Sequence, residues 1–256
     1  VFDEQLKYNA PEATTGEKSA LVLCLPQYEA VAPLNFFTLF RCCKLYGIEK
    51  ISMIPKMRTL IDEARCDLAE RFLLTGSEWC VMVDSDMVLP CGSAAMLRKY
   101  GFSLPDAKGN RNAIERIMSH PADKKIVGAL YRDRRGVGKA QCEKGFSSAT
   151  ENARLLALFE GKGDSDGLEE TGWVGGGCLR IHRSVFLEMK EAAKPGGLLA
   201  DIAPPKGRET EPYGYFGRNS TQRGEDVAFA RRAQKIGIKS YVDTGILCGH
   251  LGSKIF

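Results

Sequence analysis

A chain of 256 residues, 44% apolar and 27% charged, is long enough to bury one large α/β core or two small ones. Its net charge of +4 suits an anionic ligand such as a nucleotide but is too mild to argue for nucleic acid. No apolar run is long enough for a membrane-spanning helix, so no span is expected.

Residues 1–18 read as a polar N-terminal extension without a signal-peptide core; because Met is missing, upstream processing or truncation is open. Nine cysteines, an odd number with no Cys-x-x-Cys pair, point to a reduced interior without a disulfide framework or structural zinc. A cytoplasmic protein is the expectation, in the host cytoplasm if the source is viral.

Ser19 to Leu25 is a buried strand, closed by Pro26. A helix is predicted from Pro33 to Tyr46, with Gly47 as its stop. Lys50 to Ile54 follows as a strand ended by Pro55. Thr59 can cap a helix from Leu60 to Thr75, whose Ile61, Ala64, Leu68 and Phe72 form an apolar stripe before Gly76. Trp79 to Val83 is continuously apolar, as a strand covered on both faces should be. This β-α-β-α-β order predicts a parallel sheet that binds ligands at the carboxyl ends of its strands.

The second half is less regular. Ile126 to Tyr131 is a strand, 136–150 and 161–167 are glycine-rich loops, and Trp173 to Ile181 is a glycine-led strand. Ser184 caps a helix to about Ala193, and Pro195 to Gln222 reads as a long loop suited to a lid or an acceptor surface. Glu225 to Ile236 is the last helix, and Lys239 to Val242 a short strand leading to His250.

Asp84-Ser85-Asp86 stands where the Trp79–Val83 strand ends. Residues two apart on an extended chain share a side, so both carboxylates can face one divalent cation. With 13 Asp, roughly one Asp-x-Asp is expected by chance, and Asp164-Ser165-Asp166 is a second copy. That copy lies between glycines with no strand before it, which reads as a solvated loop.

Five pieces in order resemble the GT-A glycosyltransferases, above all family-2-like members, including small bacterial and viral ones. They are Ala64-Arg65-Cys66-Asp67-Leu68-Ala69, Val83-Asp84-Ser85-Asp86-Met87, Gly175-Gly176-Gly177-Cys178-Leu179, Gly224-Glu225-Asp226-Val227-Ala228-Phe229 and Gly249-His250. With the first strand ahead of them, they cover roughly 19–252. Cys66 departs from the pattern, since relatives often carry Asn after the Arg. The resemblance implies a single GT-A domain over 19–256, with a Rossmann-like, mixed and mainly parallel sheet flanked by helices. Residues 19–135 would bind the nucleotide sugar and residues 136–256 the acceptor.

It also implies metal-dependent transfer of a sugar from a nucleotide-diphosphate sugar, UDP-linked by preference, to a hydroxyl. A divalent cation neutralises the charge developing on the departing diphosphate. Asp86 is the first choice for direct ligation and His250 the third ligand; Asp84 either joins them or contacts the ribose or a metal-bound water. A mixed oxygen and nitrogen shell suits Mn²⁺, with Mg²⁺ as the alternative. His120 and His182 read as structural. Asp226, with Glu225 as second candidate, would orient or deprotonate the acceptor hydroxyl, although acids opening a helix also serve its dipole. Arg65 meets the diphosphate or base, or is an exposed helical Arg. Pro26, Gly176, Gly177 and Trp173 complete the donor side, with the glycines admitting the sugar or making a tight strand entry, and Trp173 toward the acceptor.

Arg132, Arg134, Arg135, Lys139, Lys206, Arg208, Arg218 and Arg223 are candidates for a basic rim. Such a rim would fit hydroxymethylated phage DNA with a flipped base, beside glycan, protein or small-molecule acceptors. Two other classes compete: a nucleotidyltransferase and a non-catalytic nucleotide-sugar-binding domain. The first would need a Gly-rich phosphate loop where Pro26-Gln27-Tyr28-Glu29 stands. The second would be expected to have lost some of the acids or the His. Oligomeric state is not legible.

Overall fold

The computed structural model describes residues 21–27, 33–57, 59–91, 112–132, 139–162, 167–218 and 224–251. They form a mixed α/β fold on an eight-stranded sheet flanked by helices. The first half comprises β1 (Leu21–Gln27), α1 (Pro33–Tyr46), β2 (Ile51–Met57), α2 (Ile61–Thr75), β3 (Trp79–Val83), β4 (Met87–Val88), α3 (Ala113–Met118) and β5 (Ile126–Tyr131). Then come α4 (Glu143–Ser147), α5 (Ala149–Leu158), β6 (Leu168–Thr171), β7 (Cys178–His182), α6 (Arg183–Ala192), α7 (Glu225–Lys235) and β8 (Ser240–His250).

The sheet order is β2-β1-β3-β7-β5-β8-β4, with β6 also paired to β8. β1, β2, β3, β5 and β8 run one way, and β7, β4 and β6 run against them. Alternation along β1 explains the layers. Leu21 and Leu23 pack with Leu39, Cys42 and Cys43 of α1, whereas Val22 and Cys24 pack with Leu68, Ala69 and Phe72 of α2. Side chains of successive strand residues point to opposite faces, so the two helices cover opposite sides. All nine cysteines are buried free thiols. Among the described residues, no helix is long and apolar enough to cross a membrane.

Neither proline ends its strand. Pro26 lies beyond the β1–β3 ladder, which stops at Cys24, so its missing N–H costs no bond on that side. Pro55 sits on β2, the edge strand, where a missing donor is tolerated. Thr59 does not cap α2. Leu60 occupies that position without a side-chain bond, and Asp62 and Glu63 complement the helix dipole instead. Gly76 closes the helix at φ 75°. Ser184 does not cap α6 either. β7 runs straight into the helix, and the ring of His182, its last residue, accepts from the Ser184 N–H at 3.2 Å.

Other boundaries shift too. The glycine-led strand begins at Cys178, not Trp173. The expected 136–150 loop instead runs into α4 and α5; Ser148 accepts from Glu151 N–H at 3.2 Å, half of a capping box that the sequence displays. β8 reaches His250 because its register against β5 jumps from Ala129–Asp243 to Leu130–Leu247, letting pairing resume. The long loop sends single side chains into the core. Tyr215 and Phe216 are fully buried, Tyr215 donates to Glu70 at 2.8 Å, and Phe216 stacks on Phe229 at 4.3 Å.

The β8 register shift is held by a buried charge cluster. Asp243 is fully buried and accepts from Arg116 Nε and Nη2 at 2.8 and 2.9 Å, with His120 Nε2 at 2.7 Å and the Gly245 N–H at 2.8 Å. Burial raises this carboxyl, but the His120 and Arg116 bonds outweigh it and hold its pKa below the ordinary range. A depressed carboxylate contributes stability above its unfolded pKa of about 3.9 and loses it as pH falls through the folded value. Asp243→Ala is expected to cost about 3–5 kcal/mol at neutral pH, read by urea unfolding, because Arg116 loses its buried partner. A loss under about 1 kcal/mol would mean the cluster is not structural.

Candidate functional site

The site lies where β3 ends. Asp84 N–H donates to the Gly177 carbonyl at 3.0 Å, and a turn closed by Met87 N–H to Asp84 O at 3.2 Å sends the chain into β4. Asn35 of α1 clamps this turn from behind, its amide donating to the carbonyls of Asp84 (2.9 Å) and Met87 (2.7 Å). β4 pairs with the end of β8, setting Met87 opposite His250. Asp86 therefore meets His250: its Oδ2 is 3.2 Å from Nε2.

The other ring nitrogen of His250 faces the Arg132 carbonyl at 3.0 Å, and Tyr131 packs edge-on to the ring at 5.3 Å. A neutral imidazole carries one N–H, yet here both nitrogens face acceptors. With Nδ1–H given to the carbonyl, the Nε2 lone pair points at a carboxylate. A cation between the two would satisfy both.

Asp84 is engaged differently. Arg65, 1% exposed, donates from Nη2 to both Asp84 oxygens at 2.7 and 2.9 Å, and the same nitrogen lies 3.8 Å from Glu225. The exposed-Arg alternative is thereby corrected: α2 turns this side chain inward, and Nε and Nη1 are buried without a hydrogen-bond partner among the described residues. Its Nη2 is given to Asp84, and the residue is buried. Burial disfavours the charged guanidinium, but Asp84, Glu225 and Asp226 outweigh it and raise its pKa. Burial likewise pushes Asp84 up to about 6, with Asp86 and Glu225 adding repulsion and Arg65 opposing it.

The glycine triplet serves these side chains. A Cβ on Gly176 would lie 1.5 Å from Arg65 Nη1, and one on Gly175 would lie 2.2 Å from the Tyr131 hydroxyl. Gly177 donates its N–H to that hydroxyl at 3.0 Å. The space read as room for a sugar is thus filled, on the Cβ side, by Arg65 and Tyr131. Neither partner is signalled by the glycines themselves.

Glu225 and Asp226 open α7, with Gly224 ahead of them. A Cβ at Gly224 would lie 2.6 Å from Asp226 Oδ1, which accepts from the Val227 N–H at 2.7 Å. Burial first, then Glu225, raises the Asp226 pKa; Arg65 and the N–H groups of Val227 and Gly176 work against the rise. Tyr131, missed by sequence reasoning, is buried among these groups, its hydroxyl pushed up by burial, Asp226 and Asp84.

The structure thus brings together Arg65, Asp84, Asp86, Gly176, Gly177, Glu225, Asp226 and His250. Pro26 is buried at the end of β1, paired with Lys56, and the Trp173 carbonyl accepts from Glu143 N–H and Thr171 Oγ1. Among the described residues, no group of three or more His, Cys, Asp or Glu is arranged to hold a metal ion. Asp86 and His250 fit a cation with two protein ligands, whereas Asp84 is committed to Arg65.

Of the basic-rim residues, Arg134, Arg135 and Arg223 lie outside the described residues, as does Asp164-Ser165-Asp166. Arg132 folds over Phe159 and donates to Leu156 O at 3.1 Å; Arg208 pairs with Glu211 and Arg218 with Asp62.

No protein-family model and no curated protein sequence matches this chain. Among solved structures it is similar to the crystal structure of A197 from STIV, at 12% identity and a TM-score of 0.47, over 90% of this chain and 85% of that one. A second is a glycosyltransferase involved in the glycosylation of the major capsid of PBCV-1, at 8% identity and a TM-score of 0.31, over 88% and 93%. Likenesses this distant carry no weight about activity.

Proposed function

We propose that the chain is a metal-dependent glycosyltransferase that moves a sugar from a nucleotide-diphosphate sugar to a hydroxyl acceptor. The observation that carries this reading is the meeting of Asp84, Glu225 and Asp226 around buried Arg65, with Asp86, two residues on from Asp84, against His250. The motif order quoted above adds to it.

Asp86 and His250 would hold the cation, Mn²⁺ by donor type with Mg²⁺ as alternative, leaving its other positions to donor phosphate oxygens and water. When bound, the ion supplies Lewis-acid neutralisation of the leaving diphosphate. Asp226 orients the acceptor hydroxyl and, in an inverting enzyme, accepts its proton as the new glycosidic bond forms. A raised pKa suits that role, because the carboxylate is a stronger base than an exposed one.

A panel of nucleotide sugars incubated with Mn²⁺ tests the reading, with nucleotide release measured with and without EDTA. Release from one donor that stops in EDTA and resumes with added Mn²⁺ is the expected outcome. Pyrophosphate release from a nucleoside triphosphate would make the chain a nucleotidyltransferase. Donor binding without turnover toward water or any hydroxyl would leave a binding domain.

A further inference from the structure

We propose that Arg65 is a resident counter-ion that withholds Asp84 from the divalent cation, so that the ion binds tightly only together with a polyphosphate. The inference rests on the cation reading above and adds a control on it. Arg65 is encased rather than poised at a surface: Nη2 bonds both oxygens of Asp84, and Nη1 lies where a Gly176 Cβ would be. While that contact stands, the protein offers a cation the Asp86 carboxylate and the His250 imidazole.

Two protein ligands leave most positions of a six-coordinate ion to water. A polyphosphate would fill several at once and add its own negative charge, so metal and anion should strengthen each other. By linkage, whatever one gains in affinity the other gains equally. The positive charge on Arg65 also opposes a second cation across Asp84 and Glu225. Removing it should favour the bare ion in two ways, through the lost repulsion and through the released Asp84 carboxylate.

Mn²⁺ binding measured by electron paramagnetic resonance, with and without pyrophosphate, separates the outcomes without reading activity. Wild type should bind bare Mn²⁺ weakly and tighten at least about tenfold with pyrophosphate. Arg65→Gln should bind bare Mn²⁺ at least about tenfold tighter than wild type and depend less on pyrophosphate. Adding Asp84→Asn should erase that gain.

Gly176→Ala is the second route, and it decides if Arg65→Gln fails to fold. Gly176 is not among the positive-φ glycines, so Ala brings no such backbone strain, and its Cβ would displace only the far end of a flexible side chain. It should shift bare Mn²⁺ affinity the same way. A folded Arg65→Gln or Gly176→Ala protein with unchanged or weaker Mn²⁺ binding overturns the counter-ion role. Wild type that binds no Mn²⁺ even with pyrophosphate overturns the cation reading itself.

Discussion

Asp86→Ala is expected to lower metal-dependent transfer by at least about a thousandfold while leaving the fold intact. Loss of the ion removes several kcal/mol of leaving-group stabilisation, and each 1.36 kcal/mol is about a factor of ten in rate. The fold should survive because the turn is held by backbone groups, with Asn35 bonding the Asp84 and Met87 carbonyls and Leu251 N–H donating to Asp86 O at 2.8 Å. The Asp86 side chain is 24% exposed, so its removal opens no sealed cavity. His250→Ala should raise the Mn²⁺ needed for half-maximal rate at least about tenfold, the scale on which metal-site contacts act. Circular dichroism and melting curves close to wild type must accompany both results. Full transfer by Asp86→Ala in the presence of a chelator would remove Asp86 from the cation site.

The order of elements from β1 to β3 was legible because each carries an apolar pattern and a breaker beside it, whereas β4 and α3 have no such pattern. Trp79 to Val83 was placed to the residue, since a continuous apolar run that meets two acids has few other readings. Helix α1 was equally clear, with Pro33 opening it and Gly47 ending it at φ 112°. The prolines misled because a strand tolerates them wherever one edge is unpaired, and edge status is a property of the sheet. The capping signals before α3 and α5, Asn112 with Glu115 and Ser148 with Glu151, stand in the sequence ahead of helices too short to show a periodic stripe.

The acids and His250 were legible as residue types, but their partners were not. Nothing local says that Arg65 on α2 turns inward to Asp84, nineteen residues on. Nor do three adjacent glycines reveal that the missing Cβ atoms make way for a guanidinium and a phenol. Such pairings arise from the crossing of α2, β3, β5 and β7, which brings together residues far apart in the chain. Tyr131 was read only as the last residue of an apolar strand, and its contacts with His250 and Gly177 appear only once β5 lies beside β7 and β8.

Asp226→Asn should separate the acceptor step from donor binding. Asn keeps the size of Asp and can still accept from the Val227 N–H, but it cannot take a proton from a hydroxyl. Turnover should therefore fall by about a hundred- to ten-thousandfold, the usual range for a general base, with nucleotide and Mn²⁺ affinities within about threefold of wild type. The pH profile gives an independent reading. A base works deprotonated, so the wild-type rate should rise as pH passes through the Asp226 pKa, and burial beside Glu225 places that limb above the ordinary carboxylate value of about 3.9. In Asp226→Asn the residual rate should lose this limb. If Glu225→Gln removes the limb and Asp226→Asn keeps it, the role passes to Glu225. If Asp226→Asn loses nucleotide binding as well as turnover, the residue belongs to the donor site and the base must be sought elsewhere.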